Sequence, residues 1–218
     1  MENKYKVVIF DLDGTLMNTS PGIFTTANWT MKQLGKPIET DLKQLAKFVG
    51  PPLKECFKVT FDLEDELIEK ACIIFRKGYE EHGKHLAIPY EGMADLLKNL
   101  NDNNIICSVA TMKYESPARD MIIEQDLDKY FKLVYGSDFE GLKTKGSIII
   151  QILNELQVDK NEAVLIGDTL HDLRGASEAG IDFIGVSYGF GFTPDYEITD
   201  QMIALCANPK DVLKEIIK

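Results

Sequence analysis

The chain has 218 residues, 44% of them hydrophobic and 27% charged, and carries a formal net charge of −11. That length and apolar share support a buried core in one or two domains, without the Pro, Gly or Ser excess that marks disorder. The acidic balance speaks against nucleic acid or an anionic membrane as a partner, because both call for concentrated Lys and Arg.

The segment Met1 to Lys6 is polar and the apolar run after it, Val7 to Phe10, is too short for a secretory signal. No stretch approaches the ~20 apolar residues of a membrane span. Cys56, Cys72, Cys107 and Cys206 are widely spaced, with no C-x-x-C pair and no neighbouring histidine pair, so neither a zinc site nor a redox pair is indicated. Reduced, buried thiols in a soluble cytoplasmic protein, a monomer or weak homodimer, are the expectation.

Val7-Val8-Ile9-Phe10 reads as a buried strand that ends at the tight turn Asp11-Leu12-Asp13-Gly14-Thr15. Side chains alternate along an extended chain, so Asp11 and Asp13 would point the same way where the sheet runs out. From about Leu16 to Leu86 there are only helical patterns. Ser20-Pro21 suits an N-cap followed by Pro in the first turn. Leu67, Ile68, Ala71, Phe75 and Tyr79 would share one face of a long helix. Gly50-Pro51-Pro52 interrupts the segment. The aromatics Phe24, Trp29, Phe48, Phe57 and Phe61 suit the core of a small helical domain, and His82 and His85 read as solvated.

Beyond this insert, Ile105–Ala110, Lys132–Tyr135, Ala163–Ile166 and Phe183–Val186 read as further strands. Helical patterns separate them, such as Met93, Leu96, Leu97 and Leu100, or Ile148, Ile152, Leu153 and Leu156. Alternation of buried strands with helices predicts right-handed βαβ units, hence an α/β fold with a doubly wound parallel sheet. The expected division is residues 1–15 and 89–218 for this Rossmann-like core, and 16–88 for an inserted all-helical cap. Ligands in such sheets bind beyond the carboxyl ends of the strands.

Residues suited to phosphate chemistry follow four of the five strands. Asp11 and Asp13 follow the first, and Thr111 with the backbone N–H of Met112 follows the second. Gly136-Ser137 follows the third, with Lys143 and Lys145 before the next helix. Gly167-Asp168-Thr169-Leu170-His171-Asp172 follows the fourth. Gly189-Phe190-Gly191 lacks the third glycine of a dinucleotide loop, and no G-x-x-x-x-G-K-[ST] sequence occurs. His171 reads as a capping or solvent-facing residue.

Taken in order, Asp11-Leu12-Asp13-Gly14-Thr15, Thr111, Lys145, and Gly167-Asp168 with Asp172 resemble the haloacid dehalogenase superfamily over the whole chain. The branch they resemble is the phosphoglycolate phosphatase-like one, with a helical cap inserted after the first motif. The resemblance implies that Asp11 is the nucleophile, forming an aspartyl phosphate, and that Asp13 is the acid and base. A neighbouring carboxylate helps Asp13 hold a proton, since like charges raise a carboxyl pKa. Dehalogenation needs no such proton, so a phosphate ester fits better.

Asp11, Asp13, Asp168 and Asp172 would bring four negative charges to one cleft, and each unrelieved pair at 4 Å costs about 4 kcal/mol at an effective dielectric of 20. A divalent cation is therefore required, and all-oxygen ligands indicate Mg²⁺ rather than zinc. The resemblance implies Asp11, the backbone carbonyl of Asp13 and Asp168 as ligands, with Asp172 acting through water or orienting Lys145. Lys145 and Thr111 would bind the transferring phosphoryl group. Lys143 is the rival to Lys145, which the spacing Lys145, Ile148, Ile149 favours. Gly50-Pro51-Pro52-Leu53-Lys54 resembles the family's cap loop, making Lys54 a candidate substrate contact. Asn18 stands where many relatives carry Asp. The expectation is a Mg²⁺-dependent phosphatase acting on a small phosphorylated metabolite, such as phosphoglycolate, a sugar phosphate or a nucleoside monophosphate. Two alternatives are a phosphomutase and a catalytically weak, phosphate-responsive regulatory or binding protein.

Overall fold

The run Val7–Phe10 forms strand β1, and all its side chains are buried, as a central strand covered on both faces demands. In the computed structural model, which describes residues 4–49, 53–138 and 142–217, β1 is followed by the short strand β2 (Met17–Asn18) and by helices α1 (Ser20–Gln33), α2 (Leu42–Ala46), α3 (Leu53–Phe61) and α4 (Asp65–Gly78). A π-helical turn, Tyr79–Gly83, and a 3₁₀ turn, Lys84–Leu86, lead to β3 (Ile88–Pro89). Then come α5 (Met93–Asp102), β4 (Ile106–Tyr114), α6 (Glu115–Glu124), β5 (Phe131–Ser137) and α7 (Lys145–Leu156). The chain ends with β6 (Ala163–Gly167), α8 (Leu170–Ala179), β7 (Asp182–Val186), β8 (Ala204–Cys206) and α9 (Pro209–Ile216).

Six strands form one parallel sheet in the order β5-β4-β1-β6-β7-β8. β1 lies between β4 and β6, with Phe10 level with Val109 on one side and Ile166 on the other. The chain therefore brings the residues after β1, β4 and β6 to one end of the sheet. Val7 and Ile9 face a core completed by Ile148, Ile149 and Ile152 of α7 and by Leu173 and Ala176 of α8. No helix among the described residues is long and apolar enough to cross a membrane.

The contacts divide the chain into a core unit, Met1–Asn18 with Pro89–Lys218, and a helical unit, Thr19–Ile88. The first boundary falls after Asn18 rather than after Thr15. Leu16 and Met17 are fully buried and both donate N–H bonds to the Leu12 carbonyl, which ties them to the core turn. Met17–Asn18 is also a strand, in a segment where only helix was expected; two residues are too few to show a period.

In the helical unit, Phe48, Phe57, Ala71, Cys72, Phe75 and Tyr79 share a core, with Phe61 and Leu67 packed on it. Phe24 and Trp29 are only half-buried and stand outside that cluster, contrary to expectation. Trp29 instead packs edge-on against the exposed His82, and its ring lies over Gly78, where a Cβ would approach within 2.5 Å. The N-cap of α1 is Thr19, not Ser20; Pro21 sits in the first turn, where its missing N–H leaves no bond unmade. Gly50, Pro51 and Pro52 lie outside the described residues. All four cysteines are buried, and none is joined in a disulfide.

Candidate active site

β1 gives way to a turn built on Gly14, whose φ of +86° suits glycine. The Asp11 N–H is bonded to the Ile166 carbonyl of β6, so the first acid leaves the sheet still anchored to its neighbour. Asp168 follows β6 directly. Asp172 sits in the first turn of α8 inside a capping box: the Thr169 N–H and hydroxyl donate to Asp172 Oδ2 at 3.0 and 2.6 Å. These three buried carboxylates converge, with one oxygen of each lying within 4.8 Å of the others.

Lys145 opens α7, whose N-terminus is fixed by a second capping box between Thr144 and Ser147. Its ammonium group pairs with Asp11 and lies 2.8 Å from Asp172 Oδ1. Two glycines permit this arrangement. A Cβ on Gly175 would come within 2.5 Å of Lys145 Cγ, and one on Gly167 within 2.3 Å of Asp172 Cβ. Lys143 is only partly buried, whereas Lys145 is buried.

Asp168 is held on its other side. Its Oδ2 accepts the Phe190 N–H at 2.7 Å and its Oδ1 the Thr15 hydroxyl at 3.3 Å. A Cβ on Gly189 would lie 2.4 Å from Asp168 Cβ, so the glycines of the 189–191 loop serve a close approach to this acid rather than to a dinucleotide. The Tyr188 hydroxyl donates to the Thr15 carbonyl at 3.1 Å, tying that loop to the first turn.

Electrostatically the cluster is under pressure. Burial raises the Asp11 carboxyl well above its usual range despite the pull of Lys145, and Asp172, Asp168 and Asp13 add to the rise. Asp168 is pushed up to about 7, chiefly by burial and then by Asp172, against the Phe190 N–H and Lys145. Burial would lower Lys145, but Asp11 and Asp172 prevail and hold its ammonium above the ordinary value.

The Asp13 side chain is placed apart from the other three acids. Its carboxylate is outside the convergent set and instead lies 3.1 Å from the ammonium of Lys113. Lys113 was missed because the strand was ended at Ala110. β4 in fact continues to Tyr114, so Thr111 lies inside the strand, as Gly136 and Ser137 lie inside β5. The register of β4 is irregular between Ala110 and Tyr114, so no clean period of two announces Lys113. Thr111 is buried and accepts the Lys113 N–H at 3.1 Å, and Met112 is exposed. Lys54 belongs to the helical unit, where it is exposed and paired with Glu69. His171 faces solvent.

Four carboxylates and two ammonium groups leave two net negative charges, the complement of one divalent cation. The donors are all hard oxygen, so Asp11 and Asp168 fit such an ion.

The match to known proteins agrees with this geometry. Residues 8–186 match the family model described as haloacid dehalogenase-like hydrolase. The chain belongs to that family. A 5'-nucleotidase of Pseudomonas aeruginosa is 34% identical to this hydrolase over 86% of the chain and 85% of its own length. The tyrosine-protein kinase PtkA of Mycobacterium tuberculosis is 29% identical over 97% of the chain and 72% of its own. A crystal structure of a putative phosphatase from Clostridium difficile superposes with a TM-score of 0.89 at 32% identity, covering 99% of this chain and 100% of that one. The hydrolase is an enzyme of the phosphatase type.

Proposed function

We propose that this hydrolase is a Mg²⁺-dependent phosphatase that cleaves a small organic phosphate monoester through an aspartyl phosphate on Asp11. The observation that carries this reading is the convergence of buried Asp11, Asp168 and Asp172 around a single buried lysine, Lys145. Asp11 and Asp168, with the Asp13 backbone carbonyl, would hold the cation. The bound ion would neutralise phosphate charge and permit an anionic ester to approach an anionic nucleophile.

The chain's own residues divide the remaining work. An Asp11 carboxylate oxygen forms the new bond to phosphorus as the bond to the ester oxygen breaks. Asp13 supplies the proton that the departing alkoxide takes up. Water then attacks phosphorus, Asp13 takes its proton, and the bond to Asp11 breaks, restoring the carboxylate. Lys145 and the Thr111 hydroxyl, with the Met112 N–H, meet the charge on the transferring oxygens. Asp172 holds Lys145 against Asp11. Substrate selection is assigned to the helical unit, with Lys54 a candidate contact, and the compartment to the cytoplasm.

The test is a screen over sugar phosphates, nucleoside monophosphates and short carboxylated phosphates with Mg²⁺ present. Steady release of phosphate, lost on chelation and regained with Mg²⁺, supports the reading. No turnover of any monoester by metal-loaded protein, or full turnover in chelator, would contradict it.

A further inference from the structure

The pair formed by Asp13 and Lys113 is unlike the Lys145 cluster. It joins the turn after β1 to the end of β4, neighbours in the sheet, and is mostly shielded, with side chains 24% and 16% exposed. An exposed pair would contribute little; this one is partly buried, and the Lys113 ammonium stands 3.1 Å from Asp13 Oδ1 as an ion pair rather than an aligned hydrogen bond. Lys113 is itself held at its backbone, through its N–H to Thr111, a buried residue of the same strand. The end of β4, irregular in register between Ala110 and Tyr114, thus delivers a cation to an acid on a tight turn, and an ion pair there favours the rotamer that keeps the Asp13 carboxyl beside it.

We infer that Lys113 is a positioning residue: it fixes the Asp13 carboxyl in the orientation from which it serves proton transfer. The inference rests on Asp13 being the acid and base. The chemistry it supports balances. The Asp13 proton passes to the ester oxygen as the phosphorus–oxygen bond breaks and the bond to Asp11 forms; the proton lost by attacking water returns to Asp13 as phosphate leaves. Both proton transfers depend on where the Asp13 carboxyl sits: the one to the leaving group differs between esters, and the one from attacking water is common to all of them.

The experiment compares the wild-type enzyme with Lys113→Ala, Lys113→Arg, Asp13→Asn and the double variant Asp13→Asn/Lys113→Ala, all loaded with Mg²⁺. The substrates are 4-nitrophenyl phosphate and the best alkyl phosphate found in the screen. For Lys113→Ala, the single-turnover rate of leaving-group release is expected to fall ~10- to 100-fold for the alkyl ester and under ~3-fold for the aryl ester, because nitrophenolate departs unprotonated, while phosphoenzyme hydrolysis slows equally for both. Substrate affinity, read from the concentration dependence of that single-turnover rate, should stay within ~3-fold for both, since positioning acts on the chemical step. Lys113→Arg should recover part of the loss, and the double variant should be no slower than Asp13→Asn alone.

Equal losses of the leaving-group release rate for the two esters, additive losses in the double variant, or weakened binding with an unchanged release rate would each overturn the inference. If Asp13→Asn itself shows no preference for the aryl ester, the acid–base role of Asp13 fails and the inference falls with it. If Asp13→Asn shows that preference and Lys113→Ala does not, only the role of Lys113 falls. Thermal unfolding of the variants identifies any loss due to misfolding, and Lys113→Arg keeps the charge where Lys113→Ala folds poorly.

Discussion

Held in chelator, the protein should lose stability as pH rises from about 5 to 8, with Asp168 responsible for much of the slope. Folded, the Asp168 carboxyl is pushed from 3.8 up to about 7, by burial first and Asp172 second. Unfolded, it returns to about 3.9. Between those values the folded chain keeps a proton that the unfolded chain has given up. The native state then binds more protons, so the stability falls as pH increases and levels off above the folded pKa. One such proton gives a slope of about 1.4 kcal/mol per pH unit, and the ~3-unit interval bounds the effect at about 4 kcal/mol. Asp168 is 0% exposed, so solvent screening takes little from this. The raised Asp11 acts in the same direction. The assay is urea unfolding in chelator followed by far-ultraviolet circular dichroism. The single tryptophan, Trp29, lies in the helical unit and would report on that unit instead. Asp168→Asn removes the titration while keeping the shape, so its stability should decline less steeply by about 1 kcal/mol per pH unit. Parallel profiles for the two proteins would refute the argument. Mg²⁺ at 100 times its dissociation constant should return about 2.7 kcal/mol to the wild type at pH 8, and far less to the variant.

Other perturbations read the remaining parts. Asp11→Asn, which keeps the side-chain volume and removes the nucleophile, should abolish monoester turnover, measured as phosphate release. Asp13→Asn should slow leaving-group release from alkyl phosphates more than from aryl phosphates, seen in single-turnover rates; equal losses in that step would remove Asp13 as the acid. Gly175→Val would force a Cβ to within 2.5 Å of Lys145 Cγ. Moving Lys145 by about 1 Å should cost on the order of 100-fold in kcat, and the overpacking about 1–3 kcal/mol in stability, read by steady-state kinetics and thermal melting.

Why some of this was legible in the chain and some was not follows from how each residue is placed. The ends of β1 and β6 announce Asp11 and Asp168, since an unbroken apolar run followed at once by acid and glycine has a plain physical reading. Lys145 and Asp172 follow from helix starts, although their caps, Thr144 with Ser147 and Thr169 with Asp172, lack the commoner Glu or Gln. Lys113 was hidden because polar Thr111 and Lys113 made the tail of β4 look like a turn. β8 was missed for its three-residue length, and the 189–191 glycines because their purpose, contact with Asp168 and Gly14, involves residues remote in sequence. The alternation of β and α patterns identified the parallel sheet, whereas the half-burial of Phe24 and Trp29 depends on packing that composition does not encode.

The central claim is that the phosphoryl group rests on Asp11. Rapid acid quench of the Mg²⁺-loaded enzyme during turnover, followed by borohydride reduction and peptide mass spectrometry, addresses it directly. The account predicts a phosphorylated carboxyl at Asp11, converted by reduction to homoserine at that position and absent from Asp11→Asn. Turnover with Asp11 unmodified at every quench time, or with the modification on another residue, would contradict it.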